Sequence, residues 1–90
     1  MADVLKICKD ALRVKASAYD DEIQIYIDSV KDELARLGIT FVDTDADFIH
    51  ACVNYVKGNF GNAAPAEKEI WMQMYQRSID KLRLKNLGDG

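Results

Sequence analysis

The chain is poor in the residues that usually give chemistry away. It has one histidine, two cysteines and one proline in 90 residues, and its cationic side chains are scattered rather than clustered. A single histidine leaves no Ser/His/Asp or Cys/His set beyond the mere presence of those residue types. Cys8 and Cys52 lie far apart and outside any C-x-x-C pair, so buried free thiols are expected rather than a disulfide or a structural zinc site. Long apolar runs are missing too, which excludes a transmembrane helix. The opening "MADVLKICKDAL" carries its lysines on a helical pattern, not ahead of an apolar stretch, and so does not read as a signal peptide. A formal net charge of −3 argues against a protein that wraps nucleic acid through its own charge.

What is present is the composition of a globular domain, 49% apolar and 30% charged. Ninety residues allow one core. A core this small gains stability from oligomerisation.

Four helices are legible in the spacing of apolar residues. The first is predicted over Asp3 to Arg13, with Val4, Ile7, Cys8, Ala11 and Leu12 at helical intervals and Asp3 as N-cap. The second runs from Asp21 to Leu37 behind an Asp20 cap. Ile23, Ile27, Val30, Leu34 and Leu37 form its stripe, Asp21 and Glu22 favour its dipole, and Gly38 is placed to end it in the left-handed conformation. Ile25 and Tyr26 fall partly outside that stripe. The alternation of Ile23, Ile25 and Ile27 is strand-like, but the helical spacing persists beyond it and decides the reading.

Helix three is expected from Asp45 to Lys57, capped by Thr44, with Phe48, Ile49, Cys52, Val53 and Val56 buried and Tyr55 beside them. Helix four starts at Pro65, a residue favoured at the first helical position, and reaches Arg83. Trp71, Met74, Tyr75, Ser78, Ile79 and Leu82 share one side of it. The fold class that follows is all-α: a compact bundle of four helices joined by short loops, with two long central helices, a short first and a long last. Residues 1–85 make one domain, and 86–90 a flexible C-terminal tail.

The stretch "VKGNFG" holds two glycines three apart. A G-x-x-G clamp needs an adjacent sheet, and a P-loop needs a preceding strand and a following G-K-S/T. Neither context is present. Gly58 is read as loosening the last turn of helix three and Gly61 as taking a positive φ, which makes the stretch a helix–helix elbow closed by Phe60. His50 and Cys52 sit two apart, on different sides of a helix, and make a poor metal pair. Asp43, Asp45 and Asp47 alternate like a calcium loop, but the sixth and twelfth positions hold Phe48 and Asn54 instead of glycine and glutamate. The aspartates read as helix caps. "EIWMQMYQR" reads as core through Trp71 and Tyr75, while Met72 lies off that side. Trp71, Met72 and Tyr75 are therefore candidate partner-facing residues. The charge run at Lys31 to Glu33 reads as a solvated face.

The order of these pieces resembles the small α-helical head–tail connector proteins of tailed bacteriophages, also known as adaptor or head-completion proteins of DNA packaging. A first helix ending in "ALRV" is followed by "DDEIQIYIDSVKDELARLGI", like that family's second helix. "DADFIHACVNYVKGNFG" is similar to its third helix and turn, and "YQRSIDKLRL" to its last helix. The resemblance covers about residues 4 to 84. On it, Tyr55, Lys57, Asn59, Phe60, Gly61, Tyr75, Leu82 and Leu84 occupy motif positions, read as core and elbow. The resemblance implies a structural virion protein without catalytic residues, metal or cofactor. Copies would form a homo-oligomeric ring between the portal protein and the tail-side head-completion protein. The ring would complete the head after packaging and extend a channel through which DNA passes, with no membrane involved. The protein would act at the virion head–tail junction after assembly in the host bacterial cytoplasm. Two other readings stay open on the residues: a small helical regulator binding duplex DNA, and a generic helical protein-interaction module.

Overall fold

The computed structural model describes residues 3–60 and 64–89, and side chains among these up to residue 87. Among the described residues there are four α-helices and no strand: α1 Val4–Leu12, α2 Asp20–Arg36, α3 Ala46–Asn59 and α4 Pro65–Asp89. The expected all-α class holds.

Each boundary has a local cause. Asp3 caps α1, its carboxylate accepting from the Lys6 backbone N–H at 3.1 Å. The end of α1 carries no glycine, yet Arg13 adopts φ 59° and ψ 36°. The Arg13 N–H reaches the Asp10 carbonyl at 3.1 Å and the Val14 N–H the Lys9 carbonyl at 2.9 Å, so the Schellman arrangement forms around an arginine. At the end of α2 the same two bonds recur around Gly38, with φ 71°. Gly38 N–H donates to Ala35 and Ile39 N–H to Leu34, which are also buried partners in the core. The placement of Gly38 is as expected.

Two caps differ from expectation. Asp20 is not an N-cap: a 3₁₀ turn over Ser17–Tyr19 feeds directly into α2, so Asp20 already has helical angles. Its carboxylate instead holds Lys9 at 2.6 Å, tying the start of α2 to α1. At α3 the cap is Asp45 rather than Thr44. A turn closed by the Asp45 N–H on the Val42 carbonyl (3.0 Å) leaves Asp45 as the extended residue before the helix, and its carboxylate accepts from the Asp47 N–H at 2.9 Å.

α3 is the centre of the fold, packing on α1, α2 and α4, most extensively on α4. Its burial extends round more of the helix than its large apolar residues suggest. Phe48, Ala51, Cys52 and Val56 are buried, and so are Asn54 and Gly58 on the side covered by α4. Ile23, Ile27, Val30 and Leu34 of α2, with Tyr75, Ile79 and Leu82 of α4, complete the core. Phe41, in the α2–α3 connection, stacks on Phe48 with centroids 4.4 Å apart. Leu37, expected in the α2 stripe, is 40% exposed because the chain turns away at Gly38 just beyond it.

α4 runs past Arg83 to Asp89, and its last turns are attached to the body. The Asn86 side chain accepts from the Thr40 N–H and hydroxyl at 2.9 Å each and donates to the Thr40 carbonyl at 3.0 Å. Lys85 bridges Asp45 at 3.1 Å and Asp47 at 3.5 Å, at the start of α3. The end of α4 thus lies at the beginning of α3. The start of α4 lies at the end of α3, where Met72 meets Gly58. These two helices are antiparallel. α2 is antiparallel to α3 as well, since Tyr26 near its start donates to the Asn59 carbonyl at the end of α3, at 3.4 Å. Hence α2 and α4 run the same way on either contact of α3. The molecule is 19 Å across its thinnest dimension, about two helix diameters.

Candidate functional site

The residues singled out in the sequence gather mostly where α3 ends and α4 begins. Gly58 is helical and buried, and it has a reason other than loosening a turn. A Cβ there would lie 2.7 Å from Met72 Sδ and 3.0 Å from its Cγ. The bare backbone lets α4 approach and gives Met72 a seat. Asn59 Nδ2 donates to the Tyr55 carbonyl at 2.8 Å, closing the last turn, and approaches Met72 Sδ at 3.5 Å. Phe60, in extended conformation, ends α3 and sets its ring edge-on to Tyr19, with centroids 5.4 Å apart. Gly61, assigned the positive φ of the elbow, lies outside the described residues, as do 62 and 63.

The aromatic residues form a row. Tyr55 packs against Tyr26 of α2 at 6.2 Å and Tyr75 of α4 at 4.9 Å, so a row of three rings links three helices. Tyr75 is only 7% exposed and Leu82 is fully buried, so both are spent inside the subunit. Burial pushes the Tyr75 hydroxyl up to about 12, helped by the nearby Glu33 carboxylate. Trp71 and Met72 are half-buried. Lys57 Nζ stands 4.4 Å from the Trp71 ring centroid, a cation–π contact that joins α3 to α4. Leu84, 67% exposed, is not brought to the others.

Nothing here assembles into a reactive centre. Cys8 and Cys52 are free and buried. Burial pushes the Cys8 thiol up to about 11 and Cys52 well above the ordinary thiol range, the opposite of an activated nucleophile. Among the described residues no three His, Cys, Asp or Glu side chains are grouped to hold a metal ion. The clefts among the described residues are shallow. One of about 360 Å³ is lined by Ser29, Asp32, Glu33, Arg36, Tyr55 and Tyr75, with charges of both signs. No helix among the described residues is long and apolar enough to cross a membrane.

The surface holds what the sequence reading missed. Met74, expected in the core, is 41% exposed. The α4 residues at 71, 72, 74 and 75 span about 160° of the helix circumference, and Met74 stands at the edge of that arc away from Met72, which packs on α3. Met74 lies instead beside a groove of about 290 Å³ with His50, Asn54, Arg77, Ser78 and Lys81. On α2, Ile25 is 62% exposed on the face opposite the core. The signal for both was available only as charge periodicity: Asp28 and Asp32 follow Ile25 at three and seven residues, as Arg77 and Lys81 follow Met74.

The family model described as phage connector protein matches residues 4–86, nearly the whole fold. No curated protein and no solved structure matches the chain.

Proposed function

The chain belongs to the phage connector protein family, and from that membership we propose that it is a structural subunit of the virion. Copies form a ring between the portal and the tail-side head-completion protein, extending the DNA channel and completing the head after packaging. The observation that carries the reading is the family match over residues 4–86, which takes in α1, α2, α3 and most of α4. Connectors are structural proteins, and the buried, protonated thiols and shallow clefts accord with a part that works by shape.

The physical chemistry of the chain supports this role. Rings arise when two different faces of one subunit meet repeatedly until the rotation closes. The exposed apolar residues Ile25, Val42, Ile70, Met74, Leu84 and Leu87 are more than a thin two-layer subunit needs on its own. A net charge of −3 suits a channel through which DNA slides, because strongly basic walls would hold phosphates. Trp71 and Met72, half-buried beside the elbow, offer contact area to a neighbouring virion protein.

The DNA-regulator reading loses its footing in the helix it needs. Asn54 of α3 is buried beneath α4, and Lys57 is engaged over Trp71, so neither is presented to a major groove. The test of the connector reading is to mix the chain with its portal and examine the particles by electron microscopy. Ring-shaped particles stacked on the portal are expected. Their absence both with and without portal overturns the reading.

A further inference from the structure

A groove lined by basic side chains and by no acid runs along the seam of α3 and α4. It holds about 290 Å³ between His50 and Asn54 of α3 and Met74, Arg77, Ser78 and Lys81 of α4. In a chain with a net charge of −3 this concentration of base is local. Among the described residues His50, Arg77 and Lys81 have no ion-pair partner. Asp47, one turn before His50, is held by Lys85 at 3.5 Å, and Asp80 accepts from the Gln76 amide at 3.2 Å. Arg77 and Lys81 stand four apart on one helix, where like charges repel. An anion between them would turn that repulsion into attraction.

The floor of the groove is polar and buried. Asn54 is 9% exposed and Ser78 7%. The Ser78 hydroxyl donates to the Met74 carbonyl at 3.2 Å and accepts from Asn54 Nδ2 at a long 3.5 Å. Among the described residues that is the one hydrogen bond of the Asn54 side chain. A buried amide ordinarily uses more of its two donors and its carbonyl oxygen. The second N–H of Asn54 is left to the groove it lines.

These groups are donors, and they come from two walls and a floor. The Arg77 guanidinium offers a fork for oxygen pairs, Lys81 a mobile ammonium, His50 a ring N–H and Asn54 an amide N–H from below. Donors arriving from several directions suit the tetrahedral oxygens of a phosphate better than a planar carboxylate. The groove is also larger than a phosphate, and Met74, 41% exposed, gives it an apolar wall for the carbon skeleton that a phosphate ester carries.

We propose that the α3–α4 groove is a phosphate-binding site in which Arg77, Lys81, His50 and the Asn54 amide hold the phosphate oxygens. The phosphate is either that of a nucleic-acid backbone or a free one. The site stands on the geometry of a single subunit, so it succeeds or fails separately from the connector reading.

The test is a titration of the ¹⁵N-labelled full chain with sodium phosphate, followed by NMR at ionic strength held constant with sodium chloride. The Asn54 side-chain amide and the amides of Arg77 and Lys81 should shift together and saturate in the millimolar range. Arg77→Gln with Lys81→Gln should weaken binding by about tenfold or more, the spectrum itself showing that the chain remains folded. Lys6→Gln with Arg83→Gln removes the same charge from exposed positions off the groove and should change affinity by no more than about twofold. A short DNA duplex distinguishes the sources. Movement of the same resonances, weakening as salt rises, assigns the phosphate to a nucleic-acid backbone. A response to phosphate with none to the duplex assigns a free phosphate. Shifts that do not saturate, equal shifts with sodium acetate, or equal weakening by the two pairs of substitutions would each overturn the proposal.

Discussion

The contact between Gly58 and Met72 lends itself to a quantitative test. Gly58 stands in the last turn of α3, so replacing it with alanine should by itself stabilise the helix by at most about 0.8–1.0 kcal/mol, the difference in propensity for a helix interior. The new methyl would stand 2.7 Å from Met72 Sδ, well inside ordinary contact, and 3.5 Å from the Lys68 carbonyl, which it merely touches. Met72 must therefore give way. Methionine has flexible torsions, so the cost falls at the low end of overpacking, about 1–2 kcal/mol. The two effects oppose each other, and Gly58→Ala in the unmodified background is expected within about 1 kcal/mol of neutral. With Met72→Ala present the obstacle is gone, and the same change should stabilise by up to that propensity difference. Urea unfolding of the four chains of this double-mutant cycle gives the coupling directly, expected at about 1–2 kcal/mol. A coupling below about 0.5 kcal/mol, the scatter expected of independent sites, would refute the claim that the glycine exists to seat this side chain.

Other consequences can be checked on the same footing. Arg13 holds a left-handed conformation that costs an L-residue about 1–2 kcal/mol, so Arg13→Gly should raise stability by roughly 0.5–1 kcal/mol in urea titration after the entropy of glycine is subtracted. Asp45→Ala removes the α3 cap and the main partner of Lys85, and should lower stability by about 1–2 kcal/mol, with part of the loss disappearing at high salt. Burial raises both thiols above the ordinary value of 9.0, so the native chain binds more protons than the unfolded one above that pH. Stability contributed by the protonated thiols is whole below pH 9 and lost as pH rises through about 11 for Cys8, which denaturant midpoints taken from pH 8 to pH 11 should show as a fall. Below pH 9 native thiols should also react far more slowly with a thiol reagent than those of the urea-unfolded chain.

How much of this was legible depends on whether the deciding interaction is local. The α2 stripe and the turn at Gly38 are written in consecutive residues, and the structure follows them. Asp3 capping α1 and Pro65 opening α4 are equally local. The α3 cap was displaced by one residue because Thr44 and Asp45 both carry suitable side chains, and only the turn back to Val42 chooses between them. Arg13 gave no sign, since a left-handed arginine has no sequence signature. Gly58 was misread for a different reason: its purpose is set by Met72, fourteen residues away, and loosening a turn is the only role a local reading can assign. Met74 and the buried Asn54 belong to the same class, because which side of α4 faces α3 is decided by the packing of two helices.

The burial of the cysteines has a consequence for where such a particle can survive. A phage is assembled in a reducing cell and then waits outside it in aerated medium. The chain's two thiols are both out of reach and held in the form that oxidants attack least. The folded subunit therefore presents no accessible thiol by which to register that passage.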